Sequence, residues 1–112
     1  MCFLIGRDGA VLWEDVSTSP VALPDSRARW EAIWTHRAAL AEVAHSHPTG
    51  PLGFSAEDQS TMEAVTSALG RSVRFSVVAP AGTWARDEAG REGRVDPEPA
   101  WAGALRARSG ME

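Results

Sequence analysis

Two histidines spaced two apart, His45 and His47, are followed by Ser55 and Asp58 in the run HSHPTGPLGFSAED. In a strand, side chains two residues apart face the same side, roughly 6–7 Å apart along the chain. Two neutral imidazoles on one face can grip a single cation between them. Pro48 has no N–H for a sheet ladder, so it ends the strand just past the pair. The loop Thr49-Gly50-Pro51-Leu52-Gly53 then turns the chain, Ser55 opens a helix, and Asp58 falls in its first turn. A histidine pair with one carboxylate is a three-ligand set with a place left for water. Catalytic zinc sites are built this way, whereas structural zinc sites are closed by four protein ligands.

Each half of the run also has a plain structural explanation. Strands often carry an exposed His-x-His. Ser55 followed by an acid at the third helical position resembles a capping box, although Glu or Gln is the usual partner, and a carboxylate near a helix N-terminus is favoured by the macrodipole. The following helix adds one discriminating fact. Asp58, Met62, Val65 and Leu69 lie at i, i+4, i+7 and i+11, so Asp58 belongs to the stripe that faces a core rather than solvent.

The combination His-x-His-Pro, a seven-residue gap, then Ser-x-x-Asp resembles the JAMM motif of the JAB/MPN metalloproteases, in a small prokaryotic JAB-domain form. The match covers the whole ligand segment from His45 to Asp58, and a weaker resemblance runs from about Cys2 to Trp84. It implies a compact α/β fold of the α+β type, a mixed sheet with two main helices packed on it. It implies Zn2+ held by His45, His47 and Asp58, with Ser55 helping to stabilise an oxyanion. It further implies hydrolysis of amide or isopeptide bonds, at the C-terminus of a ubiquitin-like or sulfur-carrier protein. The HSHPTG segment with Ser-x-x-Asp is also similar to the RadC branch of the same superfamily. Two other outcomes therefore stand beside the peptidase: a zinc-binding scaffold of the same fold, and a RadC-like accessory protein.

In that family a catalytic glutamate comes shortly before a run like Cys2-Phe3-Leu4-Ile5-Gly6; here the run begins at Met1 and no acid precedes it. Of the glutamates upstream of the motif, Glu42 lies three before His45 in the same strand and points to the opposite face. Glu31 falls in a helix beside the Trp30, Ile33 and Trp34 stripe, in a solvated or flanking place. Glu14 is the best replacement. Asp8-Gly9 between two apolar runs signals a two-residue hairpin, which pairs Arg7 with Ala10 and Phe3 with Glu14 and brings Glu14 to the start of the first strand. As an alternative, Glu14 is an ordinary polar residue at the end of an edge strand.

The elements that must position these residues follow from the pattern. Residues 2–7 and 10–16 form the hairpin, and Ser17 to Pro24 a loop. Asp25 caps a helix over 26–40, 41–47 form the ligand strand, and 56–69 the second helix, stopped by Gly70. Val73 to Ala79 and Thr83 to Glu88 are strands around the turn Pro80-Ala81-Gly82. The metallopeptidase domain is expected to span 1–89. From residue 90 the stretch GREGRVDPEP is expected to be loop or partly disordered, with a short helix over 98–108, so that 90–112 form a polar tail.

Composition sets the remaining bounds. The 112 residues suit one domain with one modest core. A net charge of −4 argues against nucleic acid, whose phosphates want a basic face. Cys2 is the single cysteine, so no internal disulfide can form. No long apolar segment suggests a membrane and no leader is evident, which makes the cytoplasm the default location. Of the five tryptophans most should be core, while Trp84 and Trp101 are candidates to line a groove or a homo-oligomer contact. His36 is expected at the surface.

Overall fold

The structure is a computed structural model, and it describes residues 1–15 and 27–111. The expected loop from Ser17 to Pro24, the cap at Asp25 and the last residue, Glu112, lie outside the described residues.

The chain forms an α+β fold in which three helices pack on a six-stranded mixed sheet of order β2-β1-β3-β4-β5-β6. β1 (Cys2–Gly6) and β2 (Val11–Asp15) make the antiparallel hairpin. Its turn is one residue longer than expected. The Gly6 N–H donates to the Ala10 carbonyl at 2.9 Å, and Gly9 sits at φ 84°, a left-handed conformation that suits glycine. A bulge beyond the turn takes up the difference, with Ile5 opposite Val11 but Leu4 opposite Trp13. Phe3 therefore faces Glu14, as the two-residue turn also required.

β3 (Leu40–Ser46) runs antiparallel to β1, with Cys2 opposite His45. The chain then crosses through α2 (Ala56–Leu69) to β4 (Arg74–Ala79), which lies parallel to β3 with His45 beside Val77. β5 (Gly82–Arg86) and β6 (Glu92–Arg94) complete the sheet. α2 has the expected bounds because both ends carry local stop signals. Ser55 forms a capping box with Asp58, and Gly70 closes the helix at φ 70°.

The sheet is buried on both faces. On one, Cys2, Leu4, Val43 and Phe75 pack with Ile33 of α1 (Arg27–Thr35) and with Met62 and Val65 of α2. On the other, Phe3, Ile5, Ala44 and Val78 pack with Trp101, Ala102 and Leu105 of α3 (Ala100–Arg108). The segment 90–111 is thus no loose tail: β6 extends the sheet and α3 builds the second core. The boundary expected at residue 89 is not a structural one.

α1 departs from expectation in length and rotation. It ends at Thr35, and His36 to Ala39 form a turn in which the Leu40 N–H reaches the His36 carbonyl at 2.9 Å. Its buried face is Arg29, Ala32 and Ile33, while Trp34 is 55% exposed with the Arg37 guanidinium stacked 4.2 Å above its ring. Trp101 is core, and Trp84 is half-buried on β5. Among the described residues no helix is long and apolar enough to cross a membrane.

Candidate metal centre

His45 and His47 leave the sheet on the face covered by α2, as their spacing requires. His45 is the next-to-last residue of β3, and the His47 N–H, just past the strand, continues the ladder to the Val78 carbonyl at 2.8 Å. The capping box holds the first turn of α2 against this point. The Ser55 hydroxyl accepts from the Asp58 N–H at 3.1 Å, and the Asp58 Oδ2 accepts from the Ser55 N–H at 2.9 Å. Asp58 is thereby a helix cap and a member of the site at once, so the structural and functional explanations of the motif are both satisfied.

The three side chains converge. The two Nε2 atoms lie 3.0 Å apart, the Asp58 Oδ1 is 3.2 Å from His45 Nε2, and the Oδ2 is 3.1 Å from His47 Nε2. All are almost fully buried, at 3% exposure for His45 and 0% for His47 and Asp58. One ligand atom from each lies within 4.8 Å of the others, a set that could hold a metal ion.

The donor chemistry fits a cation. His47 Nδ1 sits 3.1 Å from the Pro51 carbonyl, which can only accept, so Nδ1 carries the proton. In the neutral ring the lone pair is then on Nε2, aimed into the cluster, the tautomer arrangement common to metal-bound histidines. Burial holds the pKa of His45 below its usual value despite the adjoining Asp58 carboxylate, which favours the neutral form of that ring. Burial opposes ionisation of Asp58, but the adjoining His45 and His47 rings, with the Ser55 N–H, hold its carboxyl well below the usual carboxylate range. Two imidazoles and one carboxylate make a donor set suited to a borderline ion such as zinc.

Cys2, the cross-strand partner of His45, does not join the converging ligand atoms. Burial pushes its thiol up to about 12, so it stays protonated at neutral pH. Ser55 is half-buried next to Asp58, with its oxygen accepting at the helix cap and its hydroxyl proton still able to donate.

Glu14 is not at the site. Its cross-strand partner Phe3 belongs to the α3 face, whereas His45 pairs with Cys2, one position along and on the other face. The Glu14 carboxylate is ion-paired with Arg108 of α3. Glu42 also lies on that far side, as its spacing from His45 required. It accepts a hydrogen bond from Ser76 and pairs with Arg74 at 3.4 Å.

Two contributors were not singled out from the sequence. The Pro51 carbonyl is a backbone group with no residue signature. The Phe54 ring, 6.3 Å from that of His45, packs against the core, and its one signal was an apolar residue just before a capping serine. No protein-family model, curated protein or solved structure matches the chain.

Proposed function

We propose that this protein is a zinc-dependent metallopeptidase acting on amide bonds, with a protein tail as substrate. One observation carries the reading: His47, its ring oriented by the Pro51 carbonyl, brings a ligand atom together with those of His45 and Asp58, all within 4.8 Å of one another. Zinc bound there would polarise a substrate carbonyl and lower the pKa of a water to about 7. The chain itself supplies three things. His47 and His45 present lone pairs at fixed positions. The capping box fixes Asp58. The Ser55 hydroxyl stands at the helix N-terminus, where a donor and the macrodipole both favour developing negative charge. The JAMM-like order and spacing of the residues motivate the choice of a ubiquitin-like or sulfur-carrier tail as substrate.

The placement of Glu14 favours a second reading, a zinc-binding scaffold without turnover. Among the described residues, no further carboxylate joins the cluster to take a proton from water. One experiment separates the two. Protein purified without added metal is assayed for zinc and for cleavage of a labelled Gly-Gly-terminated tail, beside His47→Ala. Zinc near one per chain with cleavage, both lost in the variant, supports the peptidase. Zinc without cleavage supports the scaffold, and equal zinc in both proteins removes the site altogether.

A further inference from the structure

His45, His47 and Asp58 are each 3% exposed or less, so a solute cannot touch their ligand atoms while the surroundings stay as they are. Two of the surrounding elements are firmly held. β3 lies between its ladders to β1 and β4. The first turn of α2 is fixed by the capping box. The seven residues 48–54, which join His47 to Ser55, are held differently. Among the described residues they make no backbone–backbone hydrogen bond. Pro48 and Pro51 have no N–H to give one. Every residue of the loop is exposed or half-buried.

Two contacts tie this loop to the site, one to each histidine. The Pro51 carbonyl lies 3.1 Å from His47 Nδ1. The Phe54 ring lies 6.3 Å from the His45 ring and packs against the core of that face. Gly53, just before Phe54, sits at φ 134°, a conformation that glycine adopts freely and other residues rarely, and no atom stands within 4 Å of where a Cβ would be. A segment with one hydrogen bond, little buried area and a glycine beside its apolar contact belongs to the least stable part of a fold, while a paired strand and a capped helix belong to the most stable.

We propose that residues 48–54 are a lid over the two histidines, with Phe54 as its plug and the His47–Pro51 hydrogen bond as its latch. Opening moves Phe54 off the His45 ring and the Pro51 carbonyl off His47, while β3 and α2 stay in place. Closed, the lid keeps solvent from the ligand atoms. Opened, it lets an ion or a substrate reach them, so exchange at the site follows the opening equilibrium. The lid stands on the geometry of the loop; its part in ion exchange rests on the zinc reading proposed above.

The test uses the full chain treated with a chelator and then with diethyl pyrocarbonate, which modifies accessible neutral imidazoles. Mass spectrometry follows the segment holding His45 and His47 against His36, which is half-buried in the turn after α1 and serves as the internal reference. In wild type the pair should react at least about tenfold more slowly than His36. Phe54→Ala removes the plug, and Gly53→Ala independently strains the closed loop. Each should raise the rate at the pair at least about tenfold and leave His36 unchanged, with Phe54→Leu in between. Leu105→Ala, on the other face of the sheet, is the control for global unfolding. A pair that reacts as fast as His36 in wild type, a rate that neither loop variant changes, or an equal rise in Leu105→Ala while it remains folded would overturn the lid. Zinc adds a second readout. Protection of the pair by zinc, with faster zinc release to a chromophoric chelator from Phe54→Ala, supports lid and metal centre together. Loop variants that behave as expected without any protection by zinc would keep the lid and remove the metal centre. Protection by zinc with rates indifferent to both loop variants would do the reverse.

Discussion

His47 and Pro51 are joined by a 3.1 Å hydrogen bond from the ring Nδ1 to the carbonyl oxygen. It links the end of β3 to the loop that leads into α2. It also settles which nitrogen of His47 can bind a metal. Any ion bound by this ring is therefore bound to strand, loop and helix together.

Metal removal should therefore lower stability. A ligand that binds only the folded chain stabilises it by about 2.7 kcal/mol at a free concentration a hundred times its Kd. Adding a chelator to wild-type protein should lower Tm by several degrees, and adding it to His47→Ala should change nothing. Identical responses of the two proteins in a thermal melt would contradict the assigned ligands.

Ser55→Ala removes the side-chain acceptor for the Asp58 N–H. The expected loss is about 0.5–2 kcal/mol, the usual cost of a lost N-cap. If Ser55 also serves the oxyanion, cleavage should fall by a further factor of about 10². Melts and rates measured on the same samples distinguish the cap from the cap with chemistry.

Glu14→Gln should leave zinc content and any cleavage rate unchanged. Glu14 lies on the α3 face and its partner is Arg108, a pair exposed enough to contribute less than about 1 kcal/mol. A hundredfold loss of rate in this variant, with zinc retained, would require a placement of Glu14 different from the one described.

Glu42 supplies a pH dependence. Burial raises its pKa above the ordinary carboxylate value, against the lowering effects of Ser76 and Arg74. A raised folded pKa means that the folded chain holds the proton to higher pH than the unfolded chain. The stabilisation is complete below the unfolded value, about 4.3, and is lost as pH rises through the folded value. The difference in Tm between Glu42→Gln and wild type should therefore become more favourable to the variant from pH 4 to pH 7.5. A difference that is flat or opposite in slope would count against the raised pKa.

Leu105→Ala tests the second core. Leu105 is fully buried between α3 and the sheet, and its truncation should cost about 2–5 kcal/mol. If residues 90–112 were a dispensable tail, urea unfolding would show almost no change.

What could be read from the sequence was local. The bounds of α2 follow from Ser55 and Gly70, and the meeting of His45, His47 and Asp58 follows from period-two and helical spacing over a short segment. β6 was invisible because Glu92 and Arg94 on an edge strand give no apolar alternation, and the polar run around them resembles a loop. α1 was misrotated because Arg29 occupies a buried position where composition would place Trp34. The register of Glu14 was read correctly, but its face was not. Face depends on whether Phe3 or Cys2 is the partner of the ligand strand, and that pairing is between segments some forty residues apart.

All three candidate ligands lie between positions 45 and 58, within one strand–helix connection. Gathering them closes a loop of about a dozen residues, an event that takes tens of nanoseconds in a free chain. Joining Leu105 to Phe3, by contrast, must close a loop of nearly the whole chain. The candidate metal centre is thus a segment of low contact order set within a sheet of high contact order. Substitutions in the hairpin or in α3 should therefore affect folding rate and lifetime without altering how His45, His47 and Asp58 come together.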